Sequence, residues 1–354
     1  MGIVIRQSLL SSSASYLGVA IGFVNAVILM PKFMTPDQIG LFRTLLSAAL
    51  LLSNFGRFGI TFGLVRFKSL LKHPQTDLKS LYGLGILIVF FSTLFFLIIL
   101  IIFRSSWADF YAEKSPEINT YFILLIVLTL ELIVFQFLQT LARINKNIFA
   151  ANLLKDLIYK SLNMGGILLF ATSEISFHTF IILHVCFYVI LVAFLFFESV
   201  YKYKIKISFK PLPPKIAREL IYYCGTLFIS GLGLSFLNLA DQQLVSRYLG
   251  LEASGIYMTA IFMVMVIEMP RRFVGEISAP IISEAFGSGN LSSINEHYKK
   301  ASINLFLLGG IIYVLIIINL DNIYAIMPKG QIYEAGRNVV ILVGLAKLIN
   351  LLFS

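Results

Sequence analysis

Ten apolar runs, each about twenty residues long and joined by short connections, constrain this chain more than any other feature. About twenty helical residues cover the hydrocarbon core of a bilayer, and a backbone there must satisfy its hydrogen bonds internally. The expected spans are 10–31, 41–65, 80–103, 119–142, 148–171, 177–199, 220–245, 254–279, 301–320 and 336–353. Charged residues make up 13% of the chain, against about 25% in soluble domains. The fold class is therefore an all-α polytopic membrane protein. The first run lacks a cleavage site of small residues, so it is read as an uncleaved helix and not a signal peptide.

The net charge of +10 does not point to nucleic acid, because the basic residues lie in short loops between spans. Charge in such loops orients membrane helices. With the N-terminus in the cytoplasm, eighteen lysines and arginines fall on the inner side, among them Arg66, Lys68, Arg143, Lys155, Arg271 and Arg272. Seven fall outside: Lys32, Arg43, Arg104, Lys114, Arg247, Lys329 and Arg337. The expected topology thus has a cytoplasmic N-terminus. The segment 200–219, rich in lysine with Pro211, Pro213 and Pro214, is read as a basic cytoplasmic linker between residues 1–199 and 220–354.

A shift of 215 residues superposes the chain on itself. Gly40-Leu41-Phe42-Arg43-Thr44 falls on Gly255-Ile256-Tyr257-Met258-Thr259, and Arg57-Phe58 falls on Arg272-Phe273. Six helices separate the copies, an even number, so both cross the membrane in the same sense as parallel repeats. The first repeat has six spans and the second four, which leads to the expectation that the sequence is a fragment of a longer chain.

Polar residues inside spans are the candidates for chemistry. In the second span Thr44, Ser47, Asn54, Arg57 and Thr61 are spaced 3, 7, 3 and 4 apart and share one helical face. An arginine at that depth costs about 2.5–3.5 kcal/mol on insertion scales, so it faces protein or water. The expected role is a polar cavity wall with a cation for an anionic substrate. Snorkelling to the interface, or pairing with a buried acid, draws on the same residue. Gly59 and Gly63 form a GxxxG suited to close helix approach. Arg272, its repeat-mate, lies between Glu268 and Glu276 at i±4, where pairing within the helix can neutralise it. Lys155 opens the fifth span on the inner side. Asp241, Glu131 and Glu268 are candidates for coupling to H+ or Na+, since a semi-buried carboxylate can titrate or coordinate a cation. The bland reading of Asp241 is a polar residue at a helix end.

There is no GxxxxGK[ST], GxSxG or HExxH, and the four histidines form no metal-spaced cluster. Cys186 and Cys224 have no CxxC neighbour. No enzyme activity, cofactor or metal is expected.

The run Met34-Thr35-Pro36-Asp37-Gln38-Ile39-Gly40-Leu41-Phe42-Arg43 resembles the first hairpin of polysaccharide-biosynthesis flippases of the Wzx type. These belong to the MOP (MATE-like) exporter superfamily. The similarity continues at Asp241, Leu249-Gly250 and Ala253-Ser254-Gly255-Ile256-Tyr257. It implies two six-helix lobes around a central cavity that opens to each side in turn. It further implies a bacterial plasma-membrane protein that flips an undecaprenyl-pyrophosphate-linked oligosaccharide from the cytoplasmic to the outer leaflet. Membrane lipids and a polymerase with other glycan-assembly proteins are the implied partners. Family members have twelve to fourteen helices, so the ten spans here are a departure. A drug or metabolite antiporter of the same superfamily, a peptidoglycan-precursor flippase and a non-transporting scaffold are the alternatives. An acidic or aromatic cavity favours the antiporter, and a lumen plugged by apolar side chains favours the scaffold.

Overall fold

The computed structural model describes residues 14–70, 78–145, 148–202, 206–271, 274–275, 278, 282 and 290–353. Among them, eight helices are long and apolar enough to cross a membrane. They begin with α1 (Ala14–Phe33) and α2 (Pro36–Arg57), which α3 (Ile60–Leu70) continues after a break. α4 (Leu78–Ile102), the short α5 (Arg104–Tyr111) and α6 (Phe122–Ile144) follow. The helical run 148–171, α7, has Lys155, Asp156 and Lys160 in its first half, so it falls short on apolarity although it occupies the expected fifth span. α8 (Phe177–Phe197) completes the first set. The run Pro214–Val264 is two helices, α9 before Gly250 and α10 after it; Gly250 has φ 90° and ψ 177°, which only glycine adopts readily. α11 (Leu291–Ile318), α12 (Leu320–Ile326) and α13 (Arg337–Leu352) close the described chain. Each of the ten expected spans thus has a helical counterpart.

Local sequence explains where the helices start and bend. Thr35 caps α2: its hydroxyl accepts from Gln38 N (3.3 Å) while its own N–H donates to Gln38 Oε1 (3.0 Å). Phe58 (φ 44°) and Gly59 (φ 67°) are left-handed and break the second span between Arg57 and Ile60. A single uninterrupted helix over 41–65 is therefore corrected to two segments. A Cβ on Gly59 would strike the carbonyl of Cys224, and one on Gly63 the Cys224 sulfur, so the GxxxG seats α9 against α3. The tight turn Met265–Glu268 precedes Pro270, whose ring removes an N–H and crowds the carbonyl four residues earlier. α1 and α7 widen into π-helical turns at Val24–Leu29 and Leu153–Ile158, and they pack closely where Gly18 meets the Asp156 backbone.

The packing relates the repeats to each other. α2 makes its most extensive contacts with α9 and α10. A Cβ on Gly40 would land on the carbonyl of Leu251, and one on Gly255 on the carbonyl of Pro36. Both Pro36–Leu251 and Gly40–Gly255 are pairs 215 residues apart in sequence. Each contact therefore maps onto the other when the copies are exchanged, as an isologous two-fold contact requires.

Candidate functional site

At one end of the molecule the two repeats are bolted together by hydroxyl groups. Thr44 Oγ1 lies 2.6 Å from Ser246 Oγ and 3.1 Å from Ser254 Oγ, all three buried. Gln243 Nε2 donates to Ser47 Oγ at 2.6 Å. Tyr111 OH donates to Gln243 Oε1 (2.5 Å), and Ser115 Oγ to the carbonyl of Ser246 (2.6 Å). Burial among these groups raises the Tyr111 phenol above its ordinary range. In a dry seam a hydroxyl without a partner costs about 1–3 kcal/mol, so the mutual pairing is what makes the seal stable.

Toward the other end the structure opens. A cavity of about 1060 Å³ is lined by Ser15, Gln139, Arg143, Asn152, Lys155, Asp156, Leu234, Leu237, Asn238, Glu268, Arg271, Gly275 and Asn350. A smaller one of about 330 Å³ is lined by Arg57, Thr61, Arg66, Gln136, Thr140 and Tyr223, and shares Gln139 and Arg143 with the first. Three arginines from α2, α3 and α6 thus meet in one small wall. Arg57 is anchored within its own helix: one terminal nitrogen donates to Asn54 Oδ1 and Nε donates to the Ser53 carbonyl at 3.4 Å. Asn54 in turn donates to Ser235 Oγ on α9 at 2.8 Å. These contacts fix the guanidinium plane while leaving donors toward the cavity.

The structure separates the residues expected on one polar face. Arg57 and Thr61 reach the small cavity and Asn54 orients Arg57. Ser47 does not line either cavity; it is buried in the seam under Gln243, as is Thr44 under Ser246, and both are corrected from lumen wall to seal. The reason is that Gln243, Ser246 and Ser254 of α9 and α10 cover Thr44 and Ser47, whereas Arg57 and Thr61 border the small cavity. Lys155 and Glu268 line the large cavity. Glu268 accepts from Lys347 Nζ (2.6 Å) and Asn350 Nδ2 (3.2 Å) on α13, so its partners come from another helix. Arg272 and Glu276 lie outside the described residues; the neighbouring Arg271 lines the large cavity. Asp241 accepts from Tyr257 OH (2.5 Å) and from Gln242 N (2.8 Å), which joins α9 to α10.

Residues 4–286 match the family model described as polysaccharide biosynthesis protein. The chain belongs to that family. It is similar in fold to an inward-facing multidrug resistance MATE family transporter of the MOP superfamily (TM-score 0.64, 11% identity, 99% of this chain and 84% of that one). An outward-facing member gives TM-score 0.65 at 13% identity over 99% and 81%, and a MATE structure in a bent conformation 0.55 at 13% over 99% and 81%. At these identities the likeness establishes the fold alone. No curated protein matches the chain by sequence. This polysaccharide biosynthesis protein is accordingly a multi-pass membrane protein with a MATE-type transporter fold.

One feature of this family member escaped the sequence reading. Arg43, counted among the outer loop residues, sits inside α2 with its guanidinium over the Phe262 ring at 4.1 Å and 5.7 Å from the Phe42 ring. Beside it His184 is buried, 2.7 Å from Tyr159 OH and 3.2 Å from Asn163 Nδ2. No short sequence spacing joins these residues, which come from α2, α7 and α8. The available signal was a histidine in the middle of an apolar span.

Proposed function

We propose that this protein flips a lipid-linked oligosaccharide across the bacterial plasma membrane, from the cytoplasmic to the outer leaflet. The observation that carries the reading is the wall of Arg57, Arg66 and Arg143 in the small cavity, opening into the large one at Gln139 and Arg143. Guanidinium groups match phosphate oxygens in bidentate geometry, so a diphosphate linker suits the arginine wall. The larger space holds Asn152, Asn238, Asn350 and Asp156, groups that hydrogen-bond sugar hydroxyls. The undecaprenyl chain stays in the bilayer.

In this reading the N-terminus is cytoplasmic, the hydroxyl seam faces outward and the cavities face the cytoplasm. Residues 1–199 and 220–354 are the two lobes, joined by 200–219, and they rock about the two-fold seam to give alternating access. A polymerase and other glycan-assembly proteins take up the product.

The test replaces Arg57 by Ala in a cell that exports a surface polysaccharide. Export is expected to cease while the protein remains in the membrane; normal export overturns the cavity role. Flipping assays in vesicles with oligosaccharide-linked and peptidoglycan-precursor lipids separate those two substrates, which carry the same diphosphate. Transport of organic cations instead of either lipid would favour the antiporter.

A further inference from the structure

A second kind of cavity lies on the outer side of the first repeat. A groove of about 490 Å³ runs between α4, α6 and the end of α8, with Ile207 of the linker at one end. Among the described residues its walls are apolar except for Thr93 and Ser199. Glu131, next to Leu130 on α6, does not line it. Phe90, Val134 and Phe196 of its walls are exposed, so the groove is reached from the bilayer.

The groove is closed off from the arginine wall. Thr93 Oγ1 donates to the Gly56 carbonyl at 3.2 Å, and a Cβ on Gly56 would strike Ile133, another groove residue. On α6, Leu138 and Leu141 face the groove while Gln139 and Arg143 border the substrate cavities. A lipid whose diphosphate lies at Arg57 therefore cannot pass its tail through this wall.

We infer that the groove binds one acyl chain of an anionic glycerophospholipid from the leaflet on the linker side. Three observations converge on that occupant. The first is depth: the lining runs from Ile86 to Leu97 on α4 and from Leu141 to Leu130 on α6. Eleven residues of helix are about 16 Å, half of a hydrocarbon core about 30 Å thick. The groove thus has the length of a single leaflet.

The second is an orphaned donor. Ser199, in the turn Glu198–Lys202 that continues α8, lines the linker end of the groove. It is 5% exposed, and its hydroxyl has no hydrogen-bond partner among the described residues. Leaving such a group dry and unpaired is costly. An ester carbonyl, which joins acyl chain to head group, is an acceptor for it at the depth where the groove begins.

The third is charge at the mouth. Ser208 N donates to the Lys79 carbonyl at 3.0 Å, and a Cβ on Gly83 would strike the Ser208 carbonyl, so the linker lies against the start of α4. Its exposed lysines Lys206 and Lys210 alternate with the exposed apolar Ile207 and Phe209. A segment of this kind suits the head-group layer, with apolar side chains toward the acyl region and ammonium groups on phosphate. Glu198, the carboxylate next to Ser199, is paired with Lys202 at 2.8 Å.

The test titrates the full chain in detergent with phosphatidylglycerol and, separately, phosphatidylcholine, and counts bound lipids by native mass spectrometry. One phosphatidylglycerol is expected to bind at least five-fold more tightly than phosphatidylcholine. Lys206→Gln/Lys210→Gln is expected to erase that preference, Ser199→Ala to weaken both lipids alike, and Val134→Trp, which fills the groove, to remove the tight site. Equal affinities in the parent, or unchanged phosphatidylglycerol binding in Val134→Trp, overturn the proposal. Tight binding of undecaprenyl pyrophosphate that Val134→Trp abolishes would give the groove to the substrate's tail and overturn it as well. If Val134→Trp does not fold, Ile207→Asp on the exposed linker carries the test: a five-fold loss of phosphatidylglycerol affinity supports the site and an unchanged affinity overturns it. Neither result bears on the Arg57 export test, which reads a different cavity.

Discussion

Gly40 and Gly255 meet backbone to backbone where the two repeats join, with a Cβ on Gly255 falling close to the Gly40 nitrogen. They are equivalent positions of the 215-residue repeat, so the copies touch through their own matching glycines. The seam around them holds Thr44, Ser246 and Ser254, and the arginine cavity lies on the far side of it.

Gly40→Ala is expected to prise this contact apart, because the added methyl meets the Leu251 carbonyl, which cannot move as a side-chain tip can. Overpacking of this kind costs about 1–3 kcal/mol. A Ser254→Cys reporter, buried in the parent, should react with a membrane-impermeant maleimide at least ten-fold faster in the Gly40→Ala background. An equal rate would mean that the glycine contact does not govern the seal.

Thr44→Val removes the hydroxyl shared by Ser246 and Ser254 while keeping its shape. Loss of a buried bond of this type costs about 1 kcal/mol, a factor of about five in the sealed-to-open ratio. Conversely, the 2.6 Å approach of the oxygens suits a Thr44→Cys/Ser246→Cys cross-link. Oxidation is expected to stop transport and reductant to restore it, read by vesicle flipping.

Arg57→Lys keeps the charge but loses the planar fork that Asn54 and Ser53 orient. Binding of a diphosphate lipid is expected to weaken by about ten-fold, with Asn54→Ala giving a smaller loss in the same direction. Titration of each variant with the lipid in nanodiscs checks the order; wild-type affinity in Arg57→Lys would mean that the site reads charge alone.

Glu268 and Lys347 form a partly exposed pair across two helices. Glu268→Gln and Lys347→Met are each expected to lower the melting temperature slightly, by the equivalent of about 0.5–1 kcal/mol. The double variant should lose no more than the worse single one, as coupled partners do. Full additivity in thermal unfolding would show that the two side chains act independently.

The spans were legible because hydropathy over twenty residues answers to the bilayer and not to neighbouring helices. The repeat was legible because Gly40 and Gly255, and Arg57-Phe58 and Arg272-Phe273, recur at one offset. The function of individual polar residues was less so. Thr44, Ser47, Asn54, Arg57 and Thr61 share a face by spacing, yet α9 covers the first two and the last two border a cavity. The left-handed turn at Phe58–Gly59 also lies between Arg57 and Thr61, which a continuous period does not anticipate.

Sequence by itself determined the membrane-spanning class, the segments that become helical, and Gly59 and Gly63 as a place where another helix approaches closely. It could do so because those properties depend on one segment and its solvent. Tertiary structure alone decided that Thr44 and Ser47 seal, that Arg57 borders a cavity, and that Arg43 stands inside the protein beside His184. Inside a bilayer a polar group is satisfied equally by water in a cavity or by a polar group on another helix, and only the packed neighbour determines which.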